Sequence, residues 1–347
     1  MSTQTALVLT EIGKPLTKMQ LPIPDASQLK DYEILVKITT AGLAPLDQKF
    51  RDYGHLNIGS RLPAVISADI VGTVIERGPD SNIPVGAHVF SQGLFSLPKG
   101  GGLQEYTILN GEYAGIVPGG IQDTEAALYP INIVTAALSL FSSTGFGLPL
   151  PETHDAEGFD YTLQNVVIIG AGSNIGKLSV QLAKLAGFGT IIAVASLSNA
   201  GLLKSFGATH VIARQDSNIK EQVQAIVGDD LLYVYDTFNY GDLSLGASLL
   251  STSKKGVFAH NGTGQISEAV LKTKRAGLED KRMLGFSHLI PEFGKLLWEK
   301  LPSWLETGQI RALAYKVIDG LEETEVNEAL DEYAAGRSGE RFHVQIF

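Results

Sequence analysis

A glycine-spaced turn constrains the fold of this chain more than any other feature. The apolar run Val166–Ile169 leads directly into a turn with glycine at positions 170, 172 and 176. Apolar residues then recur at three- and four-residue steps, which is typical of a helix. A glycine turn between a strand and a helix lets the backbone approach a pyrophosphate, which the helix N-terminus also attracts. We therefore expect a dinucleotide-binding unit, although the glycine spacing is one residue longer than usual and a plain tight turn would also use glycine.

Short apolar runs alternate with helix-like stretches after this turn. The runs are Thr190–Ser196, His210–Ala213, Leu231–Thr237 and Gly256–Ala259. This alternation predicts βαβ units and a parallel sheet. Ligands of open α/β sheets bind at the carboxyl ends of the strands, so residues just after the runs are expected to line the path to the nicotinamide. They are Asn239, Gly262 and Thr263.

The run Thr190–Ser196 ends in serine, where an acidic residue would bind the ribose 2′-hydroxyl of NAD. Ser196, Asn199 and Lys204 instead offer donors and one positive charge, which favours the 2′-phosphate of NADPH over NADH. Ser196 could also cap the next helix, and one side chain can do both. The expected contacts to the pyrophosphate come from the turn itself: Gly170, Gly172, Ser173, Asn174, Ile175 and Gly176.

Composition excludes several function classes. The 347 residues suffice for two domains, and the net charge of −10 without a basic cluster disfavours nucleic acid or an anionic membrane as a partner. No apolar stretch reaches the roughly 20 residues of a membrane span, and the N-terminus lacks a signal-peptide pattern, so we expect a cytoplasmic protein. Cysteine is absent, and the seven histidines lack metal-ligand spacing, so no metal is expected.

The chain on either side of the nucleotide region has a different pattern. Before about residue 120, short β-branched runs predict a β-rich domain, and Gln122–Phe141 predicts one or two helices. Near the end, helical segments Phe293–Glu306 and Glu322–Ala335 alternate with strand-like Ala312–Ile318 and Phe342–Phe347. A tail of this kind fits a first domain that is discontinuous in sequence, with an active site in the cleft between domains.

Several segments match known motifs in the same order along the chain. They are Asp31–Asp47, Asp69–Gly78, Gly102–Tyr106, Ala126–Ala137, Gly170–Gly176, Ser196–Ala208 and Arg337–Arg341. Together they resemble the medium-chain dehydrogenase/reductase superfamily, and within it the zinc-independent quinone oxidoreductase and fungal ToxD-like enoyl reductase branch. The resemblance implies an α/β protein in which a Rossmann doubly wound parallel sheet, residues 135–309, is inserted into a β-rich GroES-like catalytic domain of residues 1–134 and 310–347.

Two departures from the superfamily's motifs bear on chemistry. Ala44 stands where the family usually has Asn, so any polar contact from that side chain is lost. Zinc-dependent relatives have His-Glu where this chain has Ala68 and Asp69, and they use cysteines that it lacks. The span from Phe90 to Gly102 is also too short for their structural-zinc lobe. The resemblance therefore implies an enzyme without zinc.

The resemblance implies NADPH-dependent hydride transfer to a quinone or an α,β-unsaturated carbonyl. Without a metal, the developing enolate oxygen needs hydrogen-bond donors. By their place in the family's blocks, the candidates are Lys49, Tyr53 and Thr135, with Asp47 in a supporting role. Each also fits a simpler role: Lys49 and Tyr53 on the surface, Asp47 in a turn, and Thr135 bonded to its own helix.

Three other functions stay open at the level of sequence. The chain could be an aldehyde or ketone reductase, or a trans-acting enoyl reductase that serves a polyketide synthase and takes a thioester-bound substrate. It could also be a nucleotide-sensing regulator without catalysis. In each enzymatic case we expect a small electrophilic substrate, and family analogy favours a homodimer or a monomer.

Overall fold

A computed structural model describes residues 2–93, 99–336 and 339–347, and it divides the chain into two compact units. The first unit contains Met1–Ile131, Ser287–Gly308 and Ala312–Phe347. The second contains Asn132–Phe286 and Gln309–Arg311. These boundaries differ from the sequence prediction chiefly at Ser287–Gly308, which we expected in the nucleotide-binding unit.

Strands and helices alternate along most of the chain. The strands are β1 (Thr3–Val8), β2 (Thr17–Pro22), β3 (Glu33–Leu43), β4 (Asp69–Arg77), β5 (His88–Gln92), β6 (Tyr106–Asn110), β7 (Ala114–Ile116), β8 (Asn165–Ile169), β9 (Thr190–Ala195), β10 (His210–Ala213), β11 (Tyr233–Asp236), β12 (Gly256–His260), β13 (Leu278–Arg282), β14 (Tyr315–Asp319) and β15 (Arg341–Gln345). The helices are α1 (Pro45–Tyr53), α2 (Asp123–Ala126), α3 (Pro130–Phe141), α4 (Asn174–Ala186), α5 (Ala200–Phe206), α6 (Ile219–Val227), α7 (Ser244–Leu249), α8 (Glu268–Thr273), α9 (Pro291–Glu306) and α10 (Glu323–Ala334).

The first unit is built on a seven-stranded sheet. Its order is β14-β15-β3-β4-β5-β7, and β6 also pairs with β3. The last strand returns to an early one, because Phe342 pairs with Leu43 and Val344 with Ala41 in antiparallel register. The tail therefore completes the first sheet. Alternate residues of β3, with partners on β4, β5 and β6, form an apolar cluster beneath it: Ile34, Val36, Ile38, Ile70, Val74, Val89 and Leu109.

Helix α9 belongs to the first unit because its aromatic face packs there. The ring of Trp298 meets the ring of Phe90 edge to face, with centroids 5.4 Å apart. The indole N–H of Trp298 donates to Ser287 Oγ at 2.8 Å, and Ser287 Oγ in turn donates to Gln92 Oε1 at 2.9 Å. The helix pattern was visible in the sequence, but its packing against Phe90 and Gln92, about 200 residues earlier, was not.

The second unit contains a six-stranded sheet in which every pairing is parallel. Its strand order is β10-β9-β8-β11-β12-β13, which is the Rossmann order. Strands covered on both faces read as continuous apolar runs, and Val167, Ile192, Val194 and Val234 are buried accordingly. The predicted α/β fold class, a GroES-like sheet together with a Rossmann sheet, is confirmed.

The apolar segment predicted as one or two helices forms two, α2 and α3. Residues Asp123–Phe141 together are long and apolar enough to cross a membrane by length and composition, with a mean hydropathy of 1.2. However, 89% of the segment is buried inside the protein, as expected of a core helix.

Candidate functional site

The glycine turn lies between β8 and α4, and two of its glycines are required by packing. Gly170 has a φ of 73°, and a Cβ there would lie 2.6 Å from the Cβ of Phe238. A Cβ on Gly176 would lie 2.4 Å from the carbonyl oxygen of Gly170. A Cβ on Gly172 would meet only the amide of Asn199 at 3.1 Å and the Cβ of Ala195 at 3.8 Å. The space next to the Gly172 backbone is therefore comparatively open.

Ser173 caps the N-terminus of α4. Its φ is −72°, so the position has no need of glycine, and its Oγ accepts a hydrogen bond from the N–H of Gly176 at 3.0 Å. Within residues 2–93, 99–336 and 339–347, the backbone N–H groups of Gly172, Asn174 and Ile175 find no protein acceptor. Free donors at a helix N-terminus are what an anion such as a pyrophosphate requires.

The side chain of Asn174 adds a polar atom without a partner at the same helix end. Its side-chain oxygen Oδ1 is buried and has no hydrogen-bond partner in the part of the chain that the structure describes. A buried polar atom without a partner is costly, and a bound ligand would satisfy it. The turn therefore fits the coenzyme that the sequence predicts.

Thr237, which we did not single out from the sequence, ties β11 to the turn. Its Oγ1 lies 3.0 Å from the carbonyl oxygens of Ile169 and Gly170, and 3.0 Å from Ser173 Oγ. The available signal was a polar residue at the end of the apolar run Leu231–Thr237. Thr237 stabilises the conformation of the turn.

Asn239, Gly262 and Thr263, which we expect to line the path to the nicotinamide, lie together at the carboxyl ends of β11 and β12. The buried carboxylate of Asp236 accepts the backbone N–H of Asn239 at 2.9 Å and its side-chain N–H at 2.7 Å. A Cβ on Gly262 would lie 2.3 Å from the carbonyl oxygen of Asn239, so only glycine fits there. Thr263 follows on the surface. Asp236, missed in the sequence, thus orients Asn239.

The residues predicted for the 2′-phosphate follow β9. Ser196 Oγ lies 3.0 Å from Ser198 Oγ, and Ser196 makes no capping hydrogen bond. The amide of Asn199 reaches toward Gly172, as described above. Lys204 is exposed in the last turn of α5, four residues after that helix begins. The structure thus brings Asn199 to the glycine turn and places Lys204 farther along α5.

In the first unit, Asp47 stabilises the N-terminus of α1. Its buried carboxylate accepts the backbone N–H of Ala44 and that of Ser67, each at 2.8 Å. Ser67 has a φ of 84°, a left-handed conformation that is strained for a residue with a side chain. Burial, reinforced by the charge of Asp69, raises the pKa of Asp47 to about 7. Asp47 therefore positions the loop that contains Ser67.

Asp69, at one of the two positions where the motif comparison places the His-Glu pair of zinc-dependent proteins, forms a buried ion pair. Arg341 of β15 donates to Asp69 of β4, and both side chains are buried. The second oxygen of Asp69 accepts the N–H of Ile131 at 2.6 Å. Burial raises the pKa of Asp69 and is opposed by Arg341, whereas Asp69 raises the pKa of Arg341 despite its burial.

These donors do not fit a catalytic zinc ion. Ala68 offers no ligand atom, and the carboxylate oxygens of Asp69 are already engaged by Arg341 and the N–H of Ile131. Among the described residues, no group of three or more His, Cys, Asp or Glu side chains is arranged to hold a metal ion. Residues 94–98 of the Phe90–Gly102 span and residues 337–338 of the Arg337–Arg341 motif lie outside the described residues.

The candidate donor side chains lie in both units. Lys49 and Tyr53 are on α1, where Lys49 is half-buried and Tyr53 is 74% exposed. Helix α1 is tied to α10, because Arg51 donates a hydrogen bond to Asp331. Within α1, Arg51 also pairs with Asp52 at 2.6 Å. Thr135 is buried in α3 of the second unit, and a Cβ on Gly285 would collide with its Oγ1 at 1.7 Å.

Two family models match the chain. Residues 30–123 match the model described as an alcohol dehydrogenase GroES-like domain. Residues 174–298 match the model described as a zinc-binding dehydrogenase. The two matches fall in the first unit and largely in the second, respectively.

Individual proteins show the same likeness over most of their length. The trans-enoyl reductase tazE of Aspergillus terreus is 30% identical over 266 residues, which cover 73% of this chain and 83% of that protein. The structure of a zinc-dependent alcohol dehydrogenase protein from Rhizobium etli superposes with a TM-score of 0.81 at 21% identity, covering 100% of this chain and 99% of the other. A mycobacterial protein solved in complex with NADPH superposes with a TM-score of 0.75 at 21% identity, covering 99% of each chain.

Proposed function

The chain belongs to the medium-chain dehydrogenase/reductase superfamily, in the branch of the fungal trans-enoyl reductases, and from this premise we propose that it reduces α,β-unsaturated carbonyls or quinones with NADPH and without a metal ion. Membership makes it an oxidoreductase of the enoyl reductase type that uses a nicotinamide coenzyme. The observation that carries the choice of site is the turn Gly170–Gly176, with its unpaired N–H groups at the start of α4.

The residues of the second unit would hold the coenzyme. The turn donates to the pyrophosphate, Ser196, Asn199 and Lys204 meet the 2′-phosphate, and Asn239, Gly262 and Thr263 line the path to the nicotinamide. NADPH is favoured because no acidic residue follows β9 to repel a 2′-phosphate. When bound, the coenzyme supplies the hydride.

Protein groups would stabilise the oxygen of the substrate as it gains charge. Hydride addition to an enone leaves an enolate, whose oxygen needs donors and whose carbon then takes a proton from water. Lys49, Tyr53 and Thr135 are our candidates for these donors, and Asp47 would keep α1 and the Ser67 loop in place. Metal independence rests on the engaged oxygens of Asp69, on Ala68, and on the absence of cysteine.

The test compares substrates and coenzymes on the purified protein. NADPH absorbance is followed with a quinone, an enone and a simple aldehyde. We expect the enone or the quinone to turn over fastest, and we expect treatment with a chelator to leave this rate unchanged. Ser196→Asp should lower the use of NADPH relative to NADH. Faster turnover of the aldehyde, or loss of activity on chelation, would contradict the proposal, and calorimetry that detected neither coenzyme would remove its basis.

A second candidate follows from the relatives' names. Because tazE is named a trans-enoyl reductase, the substrate could be an enoyl thioester presented by a polyketide synthase. An α,β-unsaturated acyl-pantetheine thioester would then be reduced much faster than the matching free enone. Tight NADPH binding without turnover of any electrophile would instead favour a nucleotide-sensing regulator.

A further inference from the structure

Arg214 is the first residue after β10, at the same edge of the sheet as the glycine turn. Its backbone N–H donates to the carbonyl oxygen of Ala195 at 2.9 Å. Ala213 pairs with Ala195, so Arg214 and Ser196 occupy the next positions on neighbouring parallel strands. Neighbouring strands lie about 4.8 Å apart, which places the two backbones side by side.

The side chain of Arg214 extends across the carboxyl ends of two other strands. Its guanidinium carbon lies 6.0 Å from the centre of the Phe238 ring. Phe238 follows β11, and the sheet order β10-β9-β8-β11 places β9 and β8 between the two residues. A cation over a ring at this distance is attracted to it. Because β9 and β8 lie between the two residues in the sheet, the Arg214 side chain spans the ends of these strands, which Ser196 and Gly170 follow.

The charge of Arg214 is not neutralised by the protein. Arg214 is exposed and makes no ion pair with any residue that the structure describes. Asp216, two residues on, accepts the side-chain amide of Gln222 at 2.9 Å. The carboxylate of Asp236 is buried and accepts hydrogen bonds from Phe238 and Asn239. An exposed planar cation at this edge suits a phosphate, which a guanidinium binds in a bidentate manner.

We propose that Arg214 determines the preference for NADPH by pairing with the 2′-phosphate of the coenzyme, while Phe238 holds its guanidinium in place. This inference rests on the function proposed above and adds a residue to it. Ser196 and Asn199 contribute neutral donors to the same phosphate. Arg214 contributes positive charge close to the end of β9, whereas Lys204 lies four residues into α5.

The experiment measures the dissociation constants of NADPH and NADH by calorimetry for the wild type and four variants. Arg214→Ala should weaken NADPH binding about tenfold or more, because hydrogen bonds to charged groups contribute more than neutral ones, and should change NADH binding less than twofold. Arg214→Lys keeps the charge and should recover part of the loss. Arg275→Ala removes one exposed charge from the opposite end of the sheet, before β13, and should change neither constant.

The outcomes separate this inference from the proposed function. If Arg214→Ala leaves NADPH binding unchanged, or weakens NADPH and NADH equally, Arg214 does not read the 2′-phosphate. If the wild type binds neither coenzyme, the proposed function itself fails. Adenosine 2′,5′-bisphosphate and ADP provide a second readout, since only the first should lose affinity for Arg214→Ala. Phe238→Leu should give a smaller selective loss of NADPH binding. If this variant bound NADPH as tightly as the wild type does, Phe238 would have no part in the proposal.

Discussion

The glycine turn of the second unit and the Asp47–Asp69–Arg341 cluster of the first unit differ in where their polar groups find partners. At the turn, backbone N–H groups and the oxygen of Asn174 are left without protein partners. In the cluster, the buried carboxylates of Asp47 and Asp69 are engaged by backbone N–H groups and by Arg341, whereas Nε and Nη1 of Arg341 find no partner among the described residues. The comparison teaches that unpartnered N–H groups at a helix N-terminus suit a bound anion, whereas the engaged carboxylates of a buried ion pair hold distant chain segments together.

The largest effect should come from breaking the buried ion pair. Arg341→Met would leave the Asp69 carboxylate without its cation, which we expect to lower the free energy of unfolding by about 3–5 kcal/mol. Urea denaturation of the whole protein measures it. The double variant Asp69→Asn with Arg341→Met removes both charges and should recover much of the loss. If the single and double variants were equally unstable, the pair would not be the cause.

Adding a side chain within the glycine turn should lower both the free energy of unfolding and the affinity for the coenzyme. Gly176→Ala would place a Cβ 2.4 Å from the Gly170 carbonyl oxygen. The resulting shift should cost about 1–3 kcal/mol of unfolding free energy and weaken NADPH binding measured by calorimetry. The matched control is Gly201→Ala on α5, where a Cβ meets nothing within 4 Å. That control should be neutral or stabilising by up to about 1 kcal/mol, and a similar loss in both variants would contradict the packing argument.

Asp47 should make stability depend on pH in the direction opposite to an ordinary ion-paired aspartate. Its pKa is raised to about 7 in the folded state, whereas an unfolded aspartate titrates near pH 4. Between these values the folded protein binds a proton that the unfolded chain does not. The contribution of Asp47 protonation to the free energy of unfolding is therefore fully present below about pH 4 and is lost as the pH rises toward 7.

The variant Asp47→Asn isolates this titration. The stability of the wild type relative to the variant should fall as the pH rises from 5 to 7, by at most about 1.4 kcal/mol per pH unit. Urea unfolding of both proteins at three pH values measures the difference. Parallel pH curves for the two proteins would show that Asp47 does not titrate in this window.

The smallest effect should come from the cap of α4. Ser173→Ala removes the oxygen that accepts the Gly176 N–H, and we expect a loss of about 1 kcal/mol in the free energy of unfolding. Ser173→Asp restores an acceptor, so it should recover stability while weakening NADPH binding, because its charge repels the pyrophosphate. Recovery of stability with unchanged binding would argue against a phosphate at this helix end.

Local patterns were sufficient to predict much of the second unit. The apolar runs and the glycine turn predicted β8–β12 and α4, and the polar residues after the runs led to Asn199 and Asn239. Thr237 and Arg214 were missed, although each lies at the end of a predicted strand, because their importance depends on side chains from other strands. Thr237 contacts Gly170, and Arg214 contacts Phe238, across the strand order of the sheet.

The first unit was less predictable for the same physical reason. Helix α1, which carries Asp47, was not predicted as a helix. The partners of Asp47 and Asp69 are separated from them by 20 residues for Ser67, 62 for Ile131 and 272 for Arg341. Helix α9 has a clear helical pattern, yet it is the contacts of Trp298 with Phe90 and, through Ser287, with Gln92 that assign it to the first unit.

The sequence by itself determined the fold class, because it depends on periodicity and on glycines at short spacing, and the family, because the motifs occur in its order along the chain. It also located the turn between β8 and α4 that we propose binds the coenzyme. Tertiary structure decided which charges are buried and engaged, which donors stay open, and which residues meet at the ends of the strands. Those properties depend on burial and on contacts between distant segments, and the spacing of neighbouring residues carries no information about either.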